Sequence, residues 1–291
     1  MQLRHTKWIY LGILALIWGS SFILMKKGLS GFTPLQLASL RIVLSAIFIL
    51  LAGFYSLKTI KRQQWKWIII TGFIGTFFPA ICFAYAVTEI DSAVASILNS
   101  LVPLNTILIG FAIFKIGSTK RQVLGVISGF LGTSILIGYG AQLNPHQNYL
   151  YAGFVILSTV MYAFNVNIIK RHLQDVKAIA IAAGNFSAIL IPALILLYVS
   201  DFFKTETLKG PNFLMAFIYI VILAAFGTAL AKVMFNKLIQ ISTAVFASSV
   251  TYLMTVVALG WGILDGEKFG IIQGFATLLI LMGVYLANKQ N

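Results

Sequence analysis

The stretch SAVASILNSLVPLNTILIG at residues 92–110 returns in a related form as TAVFASSVTYLMTVVALGW at residues 243–261. Both copies begin with a small polar residue and Ala-Val, continue with alanine and serine, and end in a long apolar run. Similar segments precede them, FAYAVTEI at residues 83–90 and MFNKLIQI at residues 234–241. Repeats within apolar segments are typical of membrane proteins that are built from two related halves.

The composition predicts that the chain lies in a lipid bilayer. Of the 291 residues, 59% are hydrophobic and 10% are charged, and the mean hydropathy is +0.95. A water-soluble globule of this length needs more polar surface. The net charge of +14 comes mostly from Lys and Arg in short loops between apolar segments, which is the pattern of cytoplasmic loops. We therefore predict the lipid bilayer as a partner and no nucleic acid.

Apolar segments long enough to cross the bilayer occur ten times. A helix of about 20 residues spans a hydrocarbon core of roughly 30 Å. We predict an all-α polytopic membrane protein with ten transmembrane helices. The predicted spans are residues 8–25, 34–54, 67–87, 92–114, 122–140, 149–169, 178–199, 213–238, 243–264 and 269–287.

The loops predict the orientation of the chain. With a cytoplasmic N-terminus, fifteen of the 21 Lys and Arg residues fall on the cytoplasmic side and five fall outside. Six of the seven acidic residues fall outside. This distribution follows the positive-inside rule. It predicts a multi-pass protein of a bacterial-type inner (plasma) membrane with both termini in the cytoplasm.

The repeat divides the chain into residues 1–144 and 145–291. Each half contains five predicted spans, so the second half enters the membrane from the opposite face and the repeat is inverted. Further matches support the division: Trp18 corresponds to Tyr162, and Arg41 to Asn185, both 144 positions later.

Four motifs in this order resemble the EamA family of the drug/metabolite transporter superfamily: WGSSF at residues 18–22, TPLQLASLR at 33–41, GTALA at 227–231 and GWGILDGE at 260–267. The resemblance implies export or exchange of small metabolites such as amino acids through a central cavity between the halves. Three positions depart from the family pattern: Lys232 replaces a tyrosine after GTALA, residues 114–117 replace a Gly-Glu pair, and Met254 replaces a proline.

Polar residues follow one face of the fourth predicted span. Ser92, Ser96, Asn99, Pro103 and Thr106 are spaced by four, three, four and three positions, which aligns them on one side of a helix. Pro103 removes a backbone hydrogen bond at mid-span and exposes a carbonyl. We predict that Asn99, Pro103 and Thr106 line a substrate cavity. The alternative is that these residues hold neighbouring helices together.

Two cations lie within predicted spans. Lys232 shares a helical face with Thr228 and Asn236, and we predict that this face contacts substrate; the alternative is that Lys232 extends to the interface. Arg41 is predicted to be a structural clamp on backbone carbonyls or on Glu89. A charge at mid-bilayer costs at least about 2.5 to 3.5 kcal/mol, so both cations should have partners.

Further site residues are predicted in other spans. Trp18 and Tyr252 complete the set of predicted substrate contacts. Glycines at four-residue spacing in the fifth and tenth spans predict close helix packing, with a homodimer interface as the alternative. These structural glycines are Gly125, Gly129, Gly270 and Gly274.

These features favour a secondary transporter of a small-molecule substrate, such as an amino acid or an organic acid. The chain has no phosphate-binding loop of the GxxxxGK[ST] type, which excludes an ATP motor in this chain. His5, His146 and His172 lie outside the predicted spans, so an enzyme, a metal site and a cofactor are not predicted. No carboxylate lies deep in a span, which leaves facilitated diffusion, exchange or a proton carried by Lys232. The competing hypothesis is a non-transporting scaffold or a subunit of a larger membrane complex.

Overall fold

Helices account for all regular secondary structure in the part of the chain that the computed structural model describes. The described residues are 2–113, 115, 119–143, 146–268 and 270–288. The α-helices are α1 (Gln2–Gly28), α2 (Pro34–Gly53), α3 (Trp65–Gly72), α4 (Phe78–Glu89), α5 (Ser92–Asn99), α6 (Val102–Ala112), α7 (Lys120–Leu143), α8 (Ala152–His172), α9 (Ala178–Val199), α10 (Thr205–Leu208), α11 (Phe213–Ile222), α12 (Ala231–Ile241), α13 (Ala244–Ser248), α14 (Val250–Leu264) and α15 (Ile271–Asn288). The prediction of an all-α chain is confirmed.

Eight helical segments of the described residues are long and apolar enough to cross a membrane. They are Thr6–Gly28, Pro34–Thr59, Arg62–Glu89, Ser92–Ala112, Tyr149–His172, Ala178–Val199, Phe213–Ile241 and Ala244–Leu264. They correspond to eight of the ten predicted spans. The fifth and tenth predicted spans fall on α7 and α15, where the shorter apolar segment is Ile271–Gly283. Residue 114 of the fourth predicted span and residue 269 of the tenth lie outside the described residues.

Helices from the two ends of the chain pack against each other. The main pairs are α1 with α14, α6 with α8, α2 with α9, and α7 with α15. Local sequence fixes where α2 begins. Thr33 accepts from the backbone N–H of Gln36, the Gln36 side chain accepts from the Thr33 N–H, and Pro34 occupies the first turn. This capping box satisfies N–H groups that would otherwise lack partners.

Two predicted glycines allow the close approach of α7 and α15. A Cβ added at Gly283 would lie within 3 Å of backbone atoms of Gly125 and Gly129, so only glycine fits at this contact. The partner of Gly125 and Gly129 is therefore Gly283, whereas Gly270 precedes α15 and donates its N–H to Gln273 at 2.8 Å. Gly274 donates its N–H to the Gly270 carbonyl at 3.0 Å. The homodimer alternative stays a prediction.

Four of the long helical segments are interrupted near their middle. Phe73–Phe77 and Leu223–Leu230 are π-helical and join α3 to α4 and α11 to α12. α5 ends before α6 begins at Val102, and α13 is separated from α14 by Ser249. Interruptions of this kind free backbone groups inside a membrane protein and are tolerated where they line a cavity.

The sequence explains the break between α5 and α6 and the break between α13 and α14. The ring of Pro103 would clash with the carbonyl of Asn99 in a continuous helix, so the chain restarts at Val102. At the second break, Ser249 donates its hydroxyl to the Phe246 carbonyl at 2.7 Å. Such a side-chain bond competes with the helical ladder of backbone hydrogen bonds.

Candidate functional site

A cavity of about 120 Å³ lies among the interrupted helices. It contacts α1, α2, α4, α5, α6, α8, α12, α13, α14 and the two π-helical segments. Its lining residues are Trp18, Ser21, Phe22, Met25, Arg41, Ile42, Gly75, Thr76, Ala80, Phe83, Asn99, Val102, Tyr162, Asn165, Gly227, Thr228, Lys232, Phe235, Ser248, Thr251 and Met254.

Two cations line this cavity, and each is held by a neutral group. Lys232 is 6% exposed, and its Nζ donates to the carbonyl of Gly75 at 3.2 Å. Arg41 donates from Nε to the hydroxyl of Thr228 at 2.7 Å. Among the described residues, no carboxylate oxygen lies within 4.0 Å of either cation, because the ion pairs found there all involve other lysines.

The partner of Arg41 differs from the prediction. Arg41 was expected to clamp carbonyls or Glu89, but its hydrogen bond is to the Thr228 side chain. Glu89 is the last residue of α4, whereas Arg41 lies two turns into α2. The Arg41 side chain therefore meets the π-helical segment beside it and contributes to the cavity wall.

Pro79 explains why the carbonyl of Gly75 is available to Lys232. Proline has no N–H to donate to the carbonyl four residues earlier, and the chain from Phe73 to Phe77 is π-helical. A side chain at residue 75 would also collide with the Asn165 amide. Glycine and proline thus place a backbone acceptor at the Lys232 ammonium.

Three buried oxygen atoms of the lining have no hydrogen-bond partner among the residues that the structure describes. They are Thr76 Oγ1, Asn99 Oδ1 and Asn165 Oδ1. A buried polar atom without a partner costs about 1 to 3 kcal/mol. A bound polar molecule would remove this cost, so the cavity is chemically suited to a ligand with polar groups.

Aromatic rings form the apolar part of the wall. Trp18 packs edge-on against Phe235 with centroids 4.9 Å apart, and its Nε1 donates to the Gly227 carbonyl at 2.9 Å. Phe83 contacts Phe22 and Tyr162, at centroid distances of 5.8 and 6.2 Å. The cavity therefore combines an apolar wall with a few polar groups, as small-molecule sites usually do.

Many of the lining residues form pairs that are separated by one of two distances along the chain. Six of them have a lining counterpart 152 positions later: Gly75 and Gly227, Thr76 and Thr228, Ala80 and Lys232, Phe83 and Phe235, Asn99 and Thr251, and Val102 and Met254. Two pairs between α1 and α8 are 144 positions apart: Trp18 and Tyr162, and Ser21 and Asn165. Positions that lie within one residue of the 151-position match of the sequence repeat, or at its 144-position match, thus meet around one cavity.

Half of the predicted substrate contacts lie on this lining. The structure brings together Trp18, Asn99, Thr228 and Lys232. The other four predicted contacts do not line the cavity; they are Pro103, Thr106, Asn236 and Tyr252.

The break in the fourth span accounts for Pro103 and Thr106. The predicted polar face assumed one continuous helix. This assumption is valid only as far as Asn99, because α5 ends there and α6 begins at Val102. Thr106 donates its hydroxyl to the Val102 carbonyl at 2.7 Å, and its own carbonyl accepts from Asn167 at 3.2 Å. Thr106 therefore connects α6 to α8.

Asn236 and Tyr252 lie in helix contacts. The Asn236 amide donates to the Ala178 carbonyl at 3.3 Å, which joins α12 to the start of α9. Tyr252 is 5% exposed and packs with Ile97 and Ala276. Both positions are one turn from lining residues, but their side chains are used between helices.

Thr76, Tyr162 and Asn165 are among the polar lining residues that sequence reasoning missed. The internal repeat contains the signal that would have found them. Each corresponds to a polar or aromatic lining residue of the other half, and the match between Trp18 and Tyr162 was already visible.

A partly exposed ion-pair cluster around the buried Glu267 carboxylate connects α1, α5 and the end of α14. Lys26 contacts Asp265 and Glu267, both at 2.8 Å, and Lys27 contacts Asp265 at 2.5 Å. Glu267 also accepts from the backbone N–H and the hydroxyl of Ser92, at 3.2 and 2.7 Å. The two lysines hold the pKa of the Asp265 carboxyl below its usual range through their hydrogen bonds to it.

The fold and the cavity together define a helical, multi-pass membrane protein with an internal polar site. A model of the EamA-like transporter family matches residues 6–138 and again residues 150–289. The chain belongs to the EamA-like transporter family, as the sequence motifs predicted.

Two named relatives and a solved structure are similar to this chain over nearly its whole length. The uncharacterized inner membrane transporter YedA of Escherichia coli K12 is 26% identical, over 94% of this chain and 90% of its own length. Protein PecM of Dickeya dadantii is 24% identical, over 94% and 92%. A crystal structure that is 16% identical covers 96% of this chain and 95% of its own, with a TM-score of 0.69, and it shows the same fold.

Proposed function

We propose that this protein is a secondary transporter that exports or exchanges a small organic metabolite, and that the central cavity is its substrate site. The observation that carries the proposal is the combination of two cations without carboxylate partners and three polar atoms without hydrogen-bond partners on one cavity wall. Such groups are costly inside a membrane unless they bind something.

We further propose ten transmembrane helices in two inverted five-helix halves, residues 1–144 and 145–291. Two separate family matches support this division. The helix contacts support it as well, since α1 packs on α14 as α8 packs on α6. The lining pairs at offsets of 152 and 144 positions add a third argument. In folds of this type, one half moves against the other around a fixed site.

The proposed location is a bacterial inner membrane with both termini in the cytoplasm. The excess of Lys and Arg in the cytoplasmic loops supports this orientation. The relative YedA is named as an inner membrane transporter.

The alternative function is a scaffold or a subunit of a larger membrane complex. A scaffold has no need for an internal cavity with polar atoms that lack partners, whereas a transporter does. No carboxylate is found among the described residues of the lining, so we propose exchange or facilitated diffusion rather than a carboxylate proton relay.

Reconstitution into liposomes tests the proposal. Vesicles containing the full chain would be loaded with an isotope-labelled mixture of organic acids and amino acids and placed in the same mixture without label, so that both export and exchange release label. Efflux would be followed by mass spectrometry. We expect selective release of a subset within minutes, and release slowed by Asn165→Leu in the cavity wall. Release equal to that from protein-free vesicles for every compound would refute the transport function.

A further inference from the structure

The charged groups of the cavity wall are all positive. Arg41 and Lys232 line it, and the described lining residues include no aspartate or glutamate. Charges in a site shielded from water interact more strongly than in bulk solvent. An acidic group on a ligand would therefore be attracted, while an ammonium group would be repelled.

The two cations occupy positions whose counterparts in the other half of the chain carry no charge. The counterpart of Lys232 is Ala80, 152 positions earlier, and both residues contact the cavity. The counterpart of Arg41 is Asn185, whose amide donates to the Ile68 carbonyl at 2.6 Å. A cation that the helical framework required should occur in both copies. These cations occur once each, which assigns them to the ligand rather than to the framework.

The two cations line one cavity and are held at its two π-helical segments. Arg41 donates to Thr228 of Leu223–Leu230 at 2.7 Å, and Lys232 donates to the Gly75 carbonyl of Phe73–Phe77 at 3.2 Å. An ammonium has three donors and a guanidinium has five. Each donates one hydrogen bond to the neutral partners described above.

The cavity volume and the aromatic wall restrict the rest of the ligand. An apolar cavity of about 150 Å³ holds a benzene molecule, and this cavity measures about 120 Å³. Phe22, Phe83 and Phe235 leave room for a short carbon chain between the polar groups.

We infer that the substrate is a small organic dianion, with a short-chain dicarboxylate as the best-fitting chemistry, and that Lys232 and Arg41 bind its two acidic ends. This inference rests on the proposed function and names the substrate class of the same cavity. The site selects against zwitterionic amino acids, because repulsion between their ammonium group and the two cations outweighs a hydrogen bond to the neutral oxygens of Thr76, Asn99 or Asn165. With a dianion bound, water that enters with it donates to these oxygens. A phosphate monoester has the same charge and is the second source of this chemistry.

Equilibrium binding to the purified full chain in lipid nanodiscs tests the inference. The probes are radiolabelled succinate, glycerol 3-phosphate and valine, which is a zwitterion of similar size. We expect at least one dianion to bind, and valine to bind at least about ten-fold more weakly, a difference of about 1.4 kcal/mol. Succinate binding alone would identify a dicarboxylate site, and glycerol 3-phosphate binding alone a phosphate-ester site.

Variants of two lysines of α12 provide the matched comparison. We expect Lys232→Gln to weaken dianion binding by at least about ten-fold and Lys232→Arg to restore most of it. The control is Lys237→Gln, which removes the same charge from an exposed position of the same helix. Size-exclusion profiles would establish that each variant is folded.

Two results would overturn the inference. One is valine binding as tight as that of both dianions, and the other is dianion binding that Lys232→Gln leaves unchanged. Transport of valine in liposomes would then keep the transport function while removing the charge selectivity. Absence of transport for every compound would instead refute the transport function itself.

Discussion

Replacement of Glu267 by glutamine should destabilise the protein more than any other single loss of negative charge in the described chain. The Glu267 side chain is 4% exposed. It accepts four hydrogen bonds: from Lys26 at 2.8 Å, from Ser92 N–H and hydroxyl at 3.2 and 2.7 Å, and from Ala93 N–H at 3.1 Å. These donors include the N-terminus of α5, where the helix dipole favours a negative charge.

The magnitude follows from these four bonds. Hydrogen bonds to a charged group contribute about 1.5 to 3 kcal/mol and neutral ones about 0.5 to 1.5, so the bonds that the glutamine oxygen keeps each lose about 1 kcal/mol. The bond from the Ala93 N–H to Oε2 is lost, because the amide NH2 that replaces this oxygen cannot accept. Lys26 keeps its contact with Asp265, which limits the loss. We expect a net destabilisation of about 2 to 4 kcal/mol.

Thermal unfolding of the detergent-solubilised protein, followed by tryptophan fluorescence, measures this effect. The matched control is Glu206→Gln, because Glu206 is exposed in the short helix α10. We expect Glu267→Gln to lower the melting temperature by several degrees and Glu206→Gln to leave it unchanged. Equal melting temperatures for the two variants would show that the Glu267 cluster contributes no stability and would refute the reasoning.

Three further predictions use independent measurements. Reporter fusions after Tyr55 should read cytoplasmic and fusions after Lys204 external; the same sign at both sites would contradict the inverted repeat, and reversed signs at both would contradict the predicted orientation. In a cysteine-free background, a cysteine at Asn99 should react with a small hydrophilic thiol reagent, whereas one at the fully buried Leu98 should not; equal reactivity would remove Asn99 from the cavity wall. The pKa of Asp265 is lowered by Lys26 and Lys27, so its stabilising effect is complete above the ordinary aspartate pKa of about 3.9 and disappears as the pH falls through the lower folded value. Melting temperatures should fall over that range in the wild type and less steeply in Asp265→Asn.

The helical framework could be read from the sequence because its physical cause is simple. A run of about 20 apolar residues satisfies its backbone hydrogen bonds internally only as a helix. Lys232 was found for a related reason, since a charge in such a run needs an explanation. The internal repeat paired Trp18 with Tyr162, and both residues line the cavity.

Other parts of the site could not be predicted because they depend on interrupted helices. Periodicity assumes a continuous helix, so the polar face was extended beyond Asn99 to Thr106, across a break that changes which side chains face inward. The π-helical segment at Phe73–Phe77 likewise has no periodic signature, although Pro79 marks its neighbourhood. The contact between Gly129 and Gly283 could not be predicted, because contacts between distant helices depend on the register in which the helices pack.

The two ends of the cavity-lining helices are fastened by different chemistry. Lys26, at the end of α1, binds carboxylates of Asp265 and Glu267. Its counterpart Lys170, 144 positions later at the end of α8, instead donates to the Ser242 carbonyl at 2.6 Å. When one half moves against the other around the cavity, as proposed above, the two ends open in turn. Opening at the Lys26 end must separate partly exposed ion pairs, and opening at the Lys170 end must release only neutral carbonyls at the end of α12. The repeat therefore supplies two equivalent closures of unequal strength, and the Lys26 end should be the one that salt weakens, because ions screen paired charges more than they screen a contact with a carbonyl.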